Sequence, residues 1–128
     1  MSKQDFLDSQ VWAVIGATDD PARYGSRIYR HLKANGKTVL AVNPRVLTVD
    51  GDFAYPDLSS LPQKPDAIDF VIGPDHGERY IREAASLGIR RLWFQPGTWR
   101  EEFAPLTAEL GVEAFQGCVM VEIHSPTE

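Results

Sequence analysis

Three short segments combine glycine, proline and small polar residues in a way that suits recognition of a phosphorylated ligand. They are Gly16-Ala17-Thr18, Asn43-Pro44-Arg45 and Gly73-Pro74. Gly16 permits a tight turn and a close approach of the backbone to a ligand, and Thr18 adds a hydroxyl group. Gly25 and Ser26 open the helix that follows, and the N–H groups at a helix N-terminus attract phosphate. The sequence therefore predicts a phosphate loop between Gly16 and Gly25.

Two arginines indicate which phosphorylated ligand this loop would take. Arg23 lies just before the helix, where it would add a charge-assisted contact to a phosphate. The Gly-x-Gly-x-x-Gly pattern of dinucleotide sites is absent, and Asn43-Pro44-Arg45 stands where an NAD site has an Asp or Glu for the ribose. Arg45 suits a phosphorylated ribose instead. This leaves the 2′-phosphate of NADP and the 3′-phosphate of coenzyme A (CoA) as alternatives.

No combination of residues predicts catalysis. Asp75 and His76 follow an apolar run, but adjacent residues in a loop seldom form a working catalytic pair. The apolar neighbours of Cys118 favour a buried, inert thiol over a thiol that exchanges with that of CoA. His31 is expected on a solvated helix face, and His124 in the tail is expected to have no role. We therefore predict a protein that is not an enzyme, and no Cys/His spacing predicts a metal site.

Residues around the Gln95-Pro96-Gly97 turn are candidates for contacts with the rest of a ligand. Gln95 is a neutral polar group at the end of a strand, where it could meet a pantetheine arm or the acyl group on that arm. Trp99, which is expected to open the next helix, could cover a pocket or a partner. Trp93 lies within the strand and is expected in the core.

Apolar runs alternate with helical patterns along the chain. The runs are Val11–Ile15, Thr38–Val42, Ala67–Ile72, Leu92–Phe94 and Val112–Phe115, and the helical patterns are Tyr24–Asn35, Gly77–Leu87 and Arg100–Leu110. Such runs are typical of strands buried on both faces of a parallel sheet. A short edge strand is expected around Phe53–Tyr55. We predict the α/β class, with a single doubly wound, Rossmann-like parallel sheet of about five to six strands and helices on both faces.

Length and charge narrow the class of protein further. The 128 residues predict one domain spanning residues 1–128, and 13 Lys and Arg against 18 Asp and Glu give a net charge of −5. This charge argues against a nucleic-acid surface. The apolar runs are far shorter than the ~20 residues that span a bilayer, and the first residues lack the pattern of a signal peptide. We therefore expect a cytoplasmic protein that binds neither nucleic acid nor membrane.

Several motifs resemble, in the same order along the chain, those of the small CoA-binding domain proteins of bacteria and archaea. The motifs are Val14-Ile15-Gly16-Ala17-Thr18, Asp20-Pro21-Ala22-Arg23-Tyr24-Gly25, Val42-Asn43-Pro44-Arg45, Phe70-Val71-Ile72-Gly73-Pro74, Leu92-Trp93-Phe94-Gln95-Pro96-Gly97 and Gly117-Cys118-Val119-Met120-Val121-Glu122. The resemblance covers about Val11 to Glu122. It implies a Rossmann-like domain that binds CoA, similar to the CoA-binding domain of succinyl-CoA synthetase.

The resemblance also implies which residues would hold CoA. Those expected at the phosphates are Gly16, Ala17, Thr18, Arg23, Tyr24 and Gly25. Those expected beside the adenosine portion are Asn43, Pro44, Arg45, Ile72, Gly73 and Pro74. The family often has Pro or Arg at the position of Gly73. The catalytic phosphohistidine of the synthetase belongs to a later domain, so the ligase activity is not expected here.

The sequence leaves three candidate functions open. The first is binding of CoA or an acyl-CoA by a non-catalytic carrier, sensor or regulatory module, which could act with an unidentified protein partner or as a homodimer. The second is an NADP-binding oxidoreductase-type domain, but the pair with Tyr-x-x-x-Lys spacing, Tyr29 and Lys33, is expected on the outer side of a helix. The third is a ligand-free protein–protein adaptor, which would have no need for the strand-end motifs. These considerations favour the first.

Overall fold

The computed structural model describes residues 3–123, and His124 lies outside the described residues. Within this range the strands are β1 (Val11–Ile15), β2 (Thr38–Val42), β3 (Thr48–Val49), β4 (Asp52–Tyr55), β5 (Ala67–Phe70), β6 (Arg91–Phe94) and β7 (Glu113–Gln116). The α-helices of the same range are α1 (Lys3–Leu7), α2 (Tyr24–Ala34), α3 (Gly77–Ser86), α4 (Phe103–Leu110) and α5 (Val119–Glu122).

The strands form one twisted layer with β1 near its middle. The order is β3-β4-β2-β1-β5-β6-β7, and all neighbours run parallel except the antiparallel pair β3 and β4. The predicted α/β class and parallel sheet are confirmed. The expected number of strands was too low, because the described part of the chain forms seven rather than five or six.

The additional strand comes from a hairpin next to the predicted edge strand. That strand is present as β4, where Ala54 lies opposite Ala41 of β2. Asp50 and Gly51 connect β3 to β4 with φ angles of 52° and 80°. Positive φ at both central residues is the geometry of the two-residue turn that Asp-Gly pairs favour, and it matches the twist of paired strands.

Helices cover both faces of the sheet, as predicted. On one face α1, α2 and α5 pack over a buried cluster that includes Trp12, Val14, Ile28, Trp93 and Val119. On the other face α3 and α4 pack over a second cluster that includes Ile15, Ile68, Phe70, Ile81 and Phe94. Each central strand therefore buries side chains on both of its faces, which explains the near-continuous apolar runs.

Two expectations for the C-terminal half were wrong in detail. The run Val112–Phe115 was expected to be buried on both faces, but β7 is an edge strand that alternates between half-buried and exposed residues. The helix expected over Arg100–Leu110 begins at Phe103, after a turn in which the Phe103 N–H donates to the carbonyl of Arg100 at 2.9 Å. Pro105 then lies in the first turn of α4, where a helix does not need its N–H.

Candidate functional site

The predicted ligand segments lie along one edge of the sheet. Since β2, β1 and β5 are adjacent and parallel, their carboxyl ends bring Gly16, Asn43 and Ile72 to the same side. The backbone continues the sheet just past these ends. Gly16 N–H donates to Val42 O and Val71 N–H donates to Ile15 O, both at 2.9 Å. We call this the strand-end edge.

A close backbone contact fixes the start of α2 against the end of β1. A Cβ atom on Gly25 would lie 2.1 Å from the carbonyl oxygen of Gly16. Gly16 itself has a φ of 95°, and a Cβ atom there would lie 2.2 Å from the Val71 oxygen. Both positions therefore require glycine for steric reasons, and Gly16 requires it for its conformation as well. This contact brings the first turn of α2 to the strand-end edge.

The first turn of α2 has the properties of an anion site. Arg23 occupies the N-cap position, and no described side chain caps the helix there. The turn contains no acidic residue. Uncapped N–H groups at the positive end of a helix dipole favour an anion. The side chain of Arg23 is 75% exposed, with its Nε 3.5 Å from Asp20, and Tyr24 is also exposed.

The loop that precedes α2 is held by its own polar side chains. The Thr18 hydroxyl accepts a hydrogen bond from the Asp20 N–H at 3.2 Å, and Asp20 in turn accepts one from the Ala22 N–H at 3.0 Å. Asp19 accepts from the Asp50 N–H at 2.7 Å, which ties the loop to the β3–β4 hairpin. The loop therefore has a defined shape in this structure.

Asn43 connects two of the predicted ligand segments. Its side-chain amide donates to the Ala17 carbonyl, and its side-chain oxygen accepts from the Arg45 N–H, both at 2.9 Å. Pro44 and Arg45 are exposed beside it. Asn43 thus links the loop that follows β1 to the backbone of Arg45, which is an exposed residue.

The third predicted segment adds an apolar wall and a short turn. Ile72 is half-buried, and its Cγ2 would lie 2.9 Å from a Cβ atom on Gly16. Gly73 is exposed, and Pro74 begins a short 3-10 helix, Pro74–His76. Asp75 accepts a hydrogen bond from Arg100. The Asp75 carboxylate is therefore engaged with Arg100 and not with its neighbour His76.

Two polar or aromatic residues near the edge have structural contacts that the sequence did not indicate. Gln95 is buried, and its side-chain oxygen accepts from the Val119 N–H at 3.0 Å. Trp99 lies before α4, where its ring meets Phe94 and Phe103 edge-on at 5.0 Å and 5.7 Å between centroids. Trp93 is fully buried, as expected. Gln95 fixes the start of α5, and Trp99 covers the second core cluster.

Asp69 lies in β5, between β1 and β6, and the sequence patterns did not indicate a role for it. The residue is fully buried, and neither carboxylate oxygen has a hydrogen-bond partner among the described residues. Burial raises the pKa of Asp69 well above its usual value, and negative charge on Cys118 raises it further. The signal was a lone acidic residue inside the apolar run Ala67–Ile72. Cys118 is half-buried, so the expectation of a buried thiol was wrong.

A second polar cluster lies away from the strand-end edge. The Tyr29 hydroxyl donates to Asp52 at 2.6 Å, and Lys33 bonds Asp52 and Asp50 at 2.8 Å and 2.9 Å. Tyr29 is buried, so it does not lie on the outer side of α2. Burial and the bond to Asp52 raise the pKa of Tyr29, whereas the bonds from Lys33 and Tyr29 lower the pKa of Asp52.

A cleft of about 520 Å³ adjoins this polar cluster. It is lined by residues of α2, β2, β4 and the segments beside them: Tyr29, Lys33, Lys37, Thr38, Val39, Leu40, Gly51, Asp52, Phe53 and Tyr55. Thr38 to Leu40 form the amino-terminal half of β2, whereas Tyr55 is the last residue of β4. Its lining includes none of the residues predicted to hold a ligand.

Two further properties concern the described part of the chain. Between residues 3 and 123, no helix is long and apolar enough to cross a membrane. In the same range, no group of three or more His, Cys, Asp or Glu side chains is placed to hold a metal ion.

Comparison with known proteins places the chain among proteins that share this architecture. The alpha subunit of ADP-forming acetate–CoA ligase II from Pyrococcus furiosus is 29% identical over 86 residues, which cover 66% of this chain and 19% of that subunit. A conserved hypothetical protein from Pyrococcus furiosus is 37% identical, with a TM-score of 0.83. That match covers 88% of this chain and 98% of the other chain.

A larger enzyme contains the same fold as one part of its length. The dinucleotide-forming acetyl-coenzyme A synthetase 1 of Ca. Korarchaeum cryptofilum is 23% identical, with a TM-score of 0.76, over 89% of this chain and 27% of that enzyme. This likeness concerns the fold alone. The family model described as a CoA binding domain matches residues 10–124. Because this match covers most of the sequence, the chain belongs to the CoA binding domain family.

Proposed function

We propose that this chain binds CoA or an acyl-CoA at the strand-end edge. The observation that carries the proposal is the first turn of α2, which is uncapped, contains no acidic residue and rests on the end of β1. Such a turn attracts phosphate, and the chain belongs to the CoA binding domain family. The acetate–CoA ligase subunit that resembles it is about five times longer than the matched segment, so the ligase reaction is not proposed for this chain.

The phosphates would lie over the loop between β1 and α2. Gly16 is half-buried, whereas Ala17 and Gly25 are buried, and the two glycines let the start of α2 pack tightly against the end of β1. Arg23 and Tyr24 are exposed at the start of α2, where a guanidinium can pair with a phosphate. Thr18 contributes its hydroxyl proton, since its oxygen already accepts from Asp20. These residues therefore fit a pyrophosphate group.

The adenosine portion would lie between the segments that follow β2 and β5. Arg45 is exposed and follows Asn43, which holds this segment against the phosphate loop. A guanidinium at this point suits the 3′-phosphate of CoA. Ile72, Gly73 and Pro74 would form the opposite wall, with Ile72 supplying an apolar surface. The pantetheine arm would then extend toward β5 and β6.

This arrangement supports a carrier, sensor or regulatory module better than an enzyme. Asp75, the neighbour of His76, is bonded to Arg100, and the Gln95 side-chain oxygen is bonded to Val119. In this structure, therefore, neither Asp75 nor Gln95 is positioned to act on a bound thioester. A protein partner, a homodimer and a cytoplasmic location remain predictions from the sequence.

Calorimetric titration with CoA, dephospho-CoA, NADP and NAD tests the proposal. We expect CoA to bind most tightly, and Arg23→Ala to weaken it by about tenfold, since a charge-assisted hydrogen bond contributes on the order of 1.5–3 kcal/mol. Arg82→Ala is the matched control, because Arg82 is an exposed arginine on α3 that pairs with Glu78. Tighter binding of NADP than of CoA, or unchanged binding in Arg23→Ala, would overturn the proposal.

A second variant tests the adenosine end. Arg45→Ala should weaken binding of CoA but leave binding of dephospho-CoA unchanged, because dephospho-CoA lacks the 3′-phosphate. The same loss for both ligands would show that Arg45 does not meet this phosphate.

A further inference from the structure

Arg100 and Asp75 join the two segments that follow β5 and β6. Asp75 lies in the short 3-10 helix Pro74–His76 after β5, and Arg100 lies between β6 and α4. The Arg100 guanidinium donates a hydrogen bond to the Asp75 carboxylate. β5 and β6 are adjacent and parallel, with Phe70 opposite Phe94 at their last residues. The ion pair therefore lies at the strand-end edge, beyond the carboxyl ends of these two strands.

Buried contacts fix the backbone that carries Arg100. Thr98 is buried, and its hydroxyl donates to the Gln95 carbonyl at 2.7 Å. The ring of Trp99 packs edge-on against Phe103 at 5.7 Å between centroids. After Arg100, the Phe103 N–H donates to the Arg100 carbonyl at 2.9 Å. The side chain of Arg100 therefore starts from a defined point of the loop.

The ion pair is accessible to a ligand. The side chain of Arg100 is 37% exposed and that of Asp75 is 85% exposed. Open space adjoins both segments, because a Cβ atom on Gly73 or on Gly97 would have no described atom within 4 Å. An ion pair as exposed as this one adds little to the stability of a fold. Arg100 can therefore exchange Asp75 for a carboxylate of a ligand at little cost to the protein.

The order of the strands distributes three arginines along the length of an acyl-CoA. Arg45 follows β2, Arg23 follows β1 and Arg100 follows β6, and these strands occur in the sheet in the order β2-β1-β5-β6. The proposed site uses Arg45 for the 3′-phosphate and Arg23 for the pyrophosphate. Two strand spacings, about 10 Å, separate β1 from β6, and an extended pantetheine arm spans this distance. The thiol end of the ligand would then arrive near Arg100, for which no phosphate of CoA remains.

The chemistry of Arg100 suits a carboxylate. A guanidinium presents five N–H donors in a fork that matches the two oxygens of a carboxylate. Within residues 3–123 the Arg100 side chain donates to Asp75 alone, so most of its donors are available to a ligand. Glu101 and Glu102 follow Arg100 but form no ion pair with it in the same range. Asp75 is therefore the carboxylate with which a ligand would compete.

We propose that Arg100 selects acyl-CoA ligands whose acyl group ends in a carboxylate, that is, CoA thioesters of short dicarboxylic acids. The inference rests on the proposed binding of CoA at the strand-end edge, and it names the class of acyl group that this edge accepts. Asp75 holds the guanidinium in place and yields it to the carboxylate of the ligand. Arg100 thus acts in specificity, and no reaction at the thioester is involved.

Calorimetric titration with two stable thioethers of CoA tests this inference. S-(3-carboxypropyl)-CoA mimics the thioester of a short dicarboxylic acid, and its amide, S-(3-carbamoylpropyl)-CoA, has the same shape without the charge. We expect the acid to bind about tenfold more tightly than the amide, the factor expected for a charge-assisted hydrogen bond. Equal dissociation constants for the acid and the amide, or tighter binding of the amide, would overturn the inference.

Variants of the ion pair assign this preference to Arg100. Arg100→Ala should abolish the preference for the acid, whereas Arg82→Ala, at an exposed arginine of α3, should keep it. Asp75→Asn removes the competing carboxylate and should increase the preference, a gain that loss of a merely structural contact would not produce. Far-UV circular dichroism checks that each variant is folded. A preference that persists in Arg100→Ala contradicts the role of Arg100, and one that does not rise in Asp75→Asn contradicts the exchange of partners.

The outcomes distinguish this inference from the proposed function. If CoA binds and the acid and the amide have equal affinities, the selection of a carboxylate is wrong and the proposed binding of CoA stands. If neither CoA nor either thioether binds, the proposed function fails as well.

Discussion

At the scale of single residues, the buried acid Asp69 makes the stability of the fold depend on pH. Burial raises its pKa, with a smaller contribution from charge on Cys118. In the unfolded chain an aspartate ionises near pH 4. Above that pH the folded state therefore binds more protons than the unfolded state, and the free energy of unfolding falls as the pH rises toward the raised pKa.

Asp69→Asn should remove this dependence. Above pH 5 we expect the free energy of unfolding of the wild type, measured by urea denaturation, to fall relative to that of the variant as the pH rises. Glu109→Gln is the control, because Glu109 is exposed on α4 and should leave the dependence unchanged. Parallel curves for the wild type and Asp69→Asn would contradict a protonated Asp69.

The sequence predicted the positions of the residues at the strand-end edge more accurately than it predicted their contacts. The tight turn predicted at Gly16 and the helix start predicted at Gly25 are both present in the structure. Asn43 and Gln95 are predicted to meet a ligand, and the structure adds that they hold backbone groups of the loop and of α5, which the sequence did not indicate. Which partner a polar side chain takes depends on distant segments that fold next to it.

At the scale of elements, the contact between β1 and α2 is sterically demanding. Gly25→Ala should reduce the free energy of unfolding by about 1–3 kcal/mol, because the added Cβ would collide with the Gly16 carbonyl at 2.1 Å. Helix propensity alone predicts that Gly25→Ala increases the free energy of unfolding, since alanine is a better helix former than glycine. Gly73→Ala is the matched control, with no described atom within 4 Å of the added Cβ, and should stay within about 0.5 kcal/mol. Urea denaturation measures both, and a stabilised Gly25→Ala would contradict the close contact.

The polar cluster that joins α2 to the β3–β4 hairpin predicts sensitivity to acid. The bond from Lys33, followed by that from Tyr29, lowers the pKa of Asp52 in the folded state. Its contribution to stability is therefore present above the unfolded pKa, near 4, and is lost as the pH falls through the lower folded pKa. We expect the thermal midpoint to fall more for the wild type than for Asp52→Asn between pH 5 and pH 3. Equal falls would contradict the cluster.

The elements that the sequence missed are the short ones. Apolar runs identified the central strands, because those strands are buried on both faces. The two-residue strand β3 has no such run, although the Asp50-Gly51 pair was a usable hairpin signal. The four-residue helix α5 is too short to show a helical period, and its position depends on the bond between Val119 and Gln95.

At the scale of the whole molecule, the fold separates two surfaces with different properties. The carboxyl ends of the parallel strands carry Arg45 and the loop between Gly16 and Gly25 that we propose binds phosphate. The cleft near Tyr29 and Asp52 opens beside the amino-terminal half of β2. In open parallel sheets, ligands bind beyond the carboxyl ends of the strands. The uncapped start of α2 lies at that edge, so we assign CoA to it and not to the cleft.

The most direct test of this assignment is a titration of isotopically labelled protein with CoA, followed through the backbone amide signals. We predict that the signals of Gly16 to Gly25 shift most, that those of Arg45 and Gly73 also shift, and that those of Thr38 to Leu40 remain in place. Shifts concentrated in the cleft around Lys33 and Phe53, or no shifts at CoA concentrations that saturate related sites, would contradict the central claim.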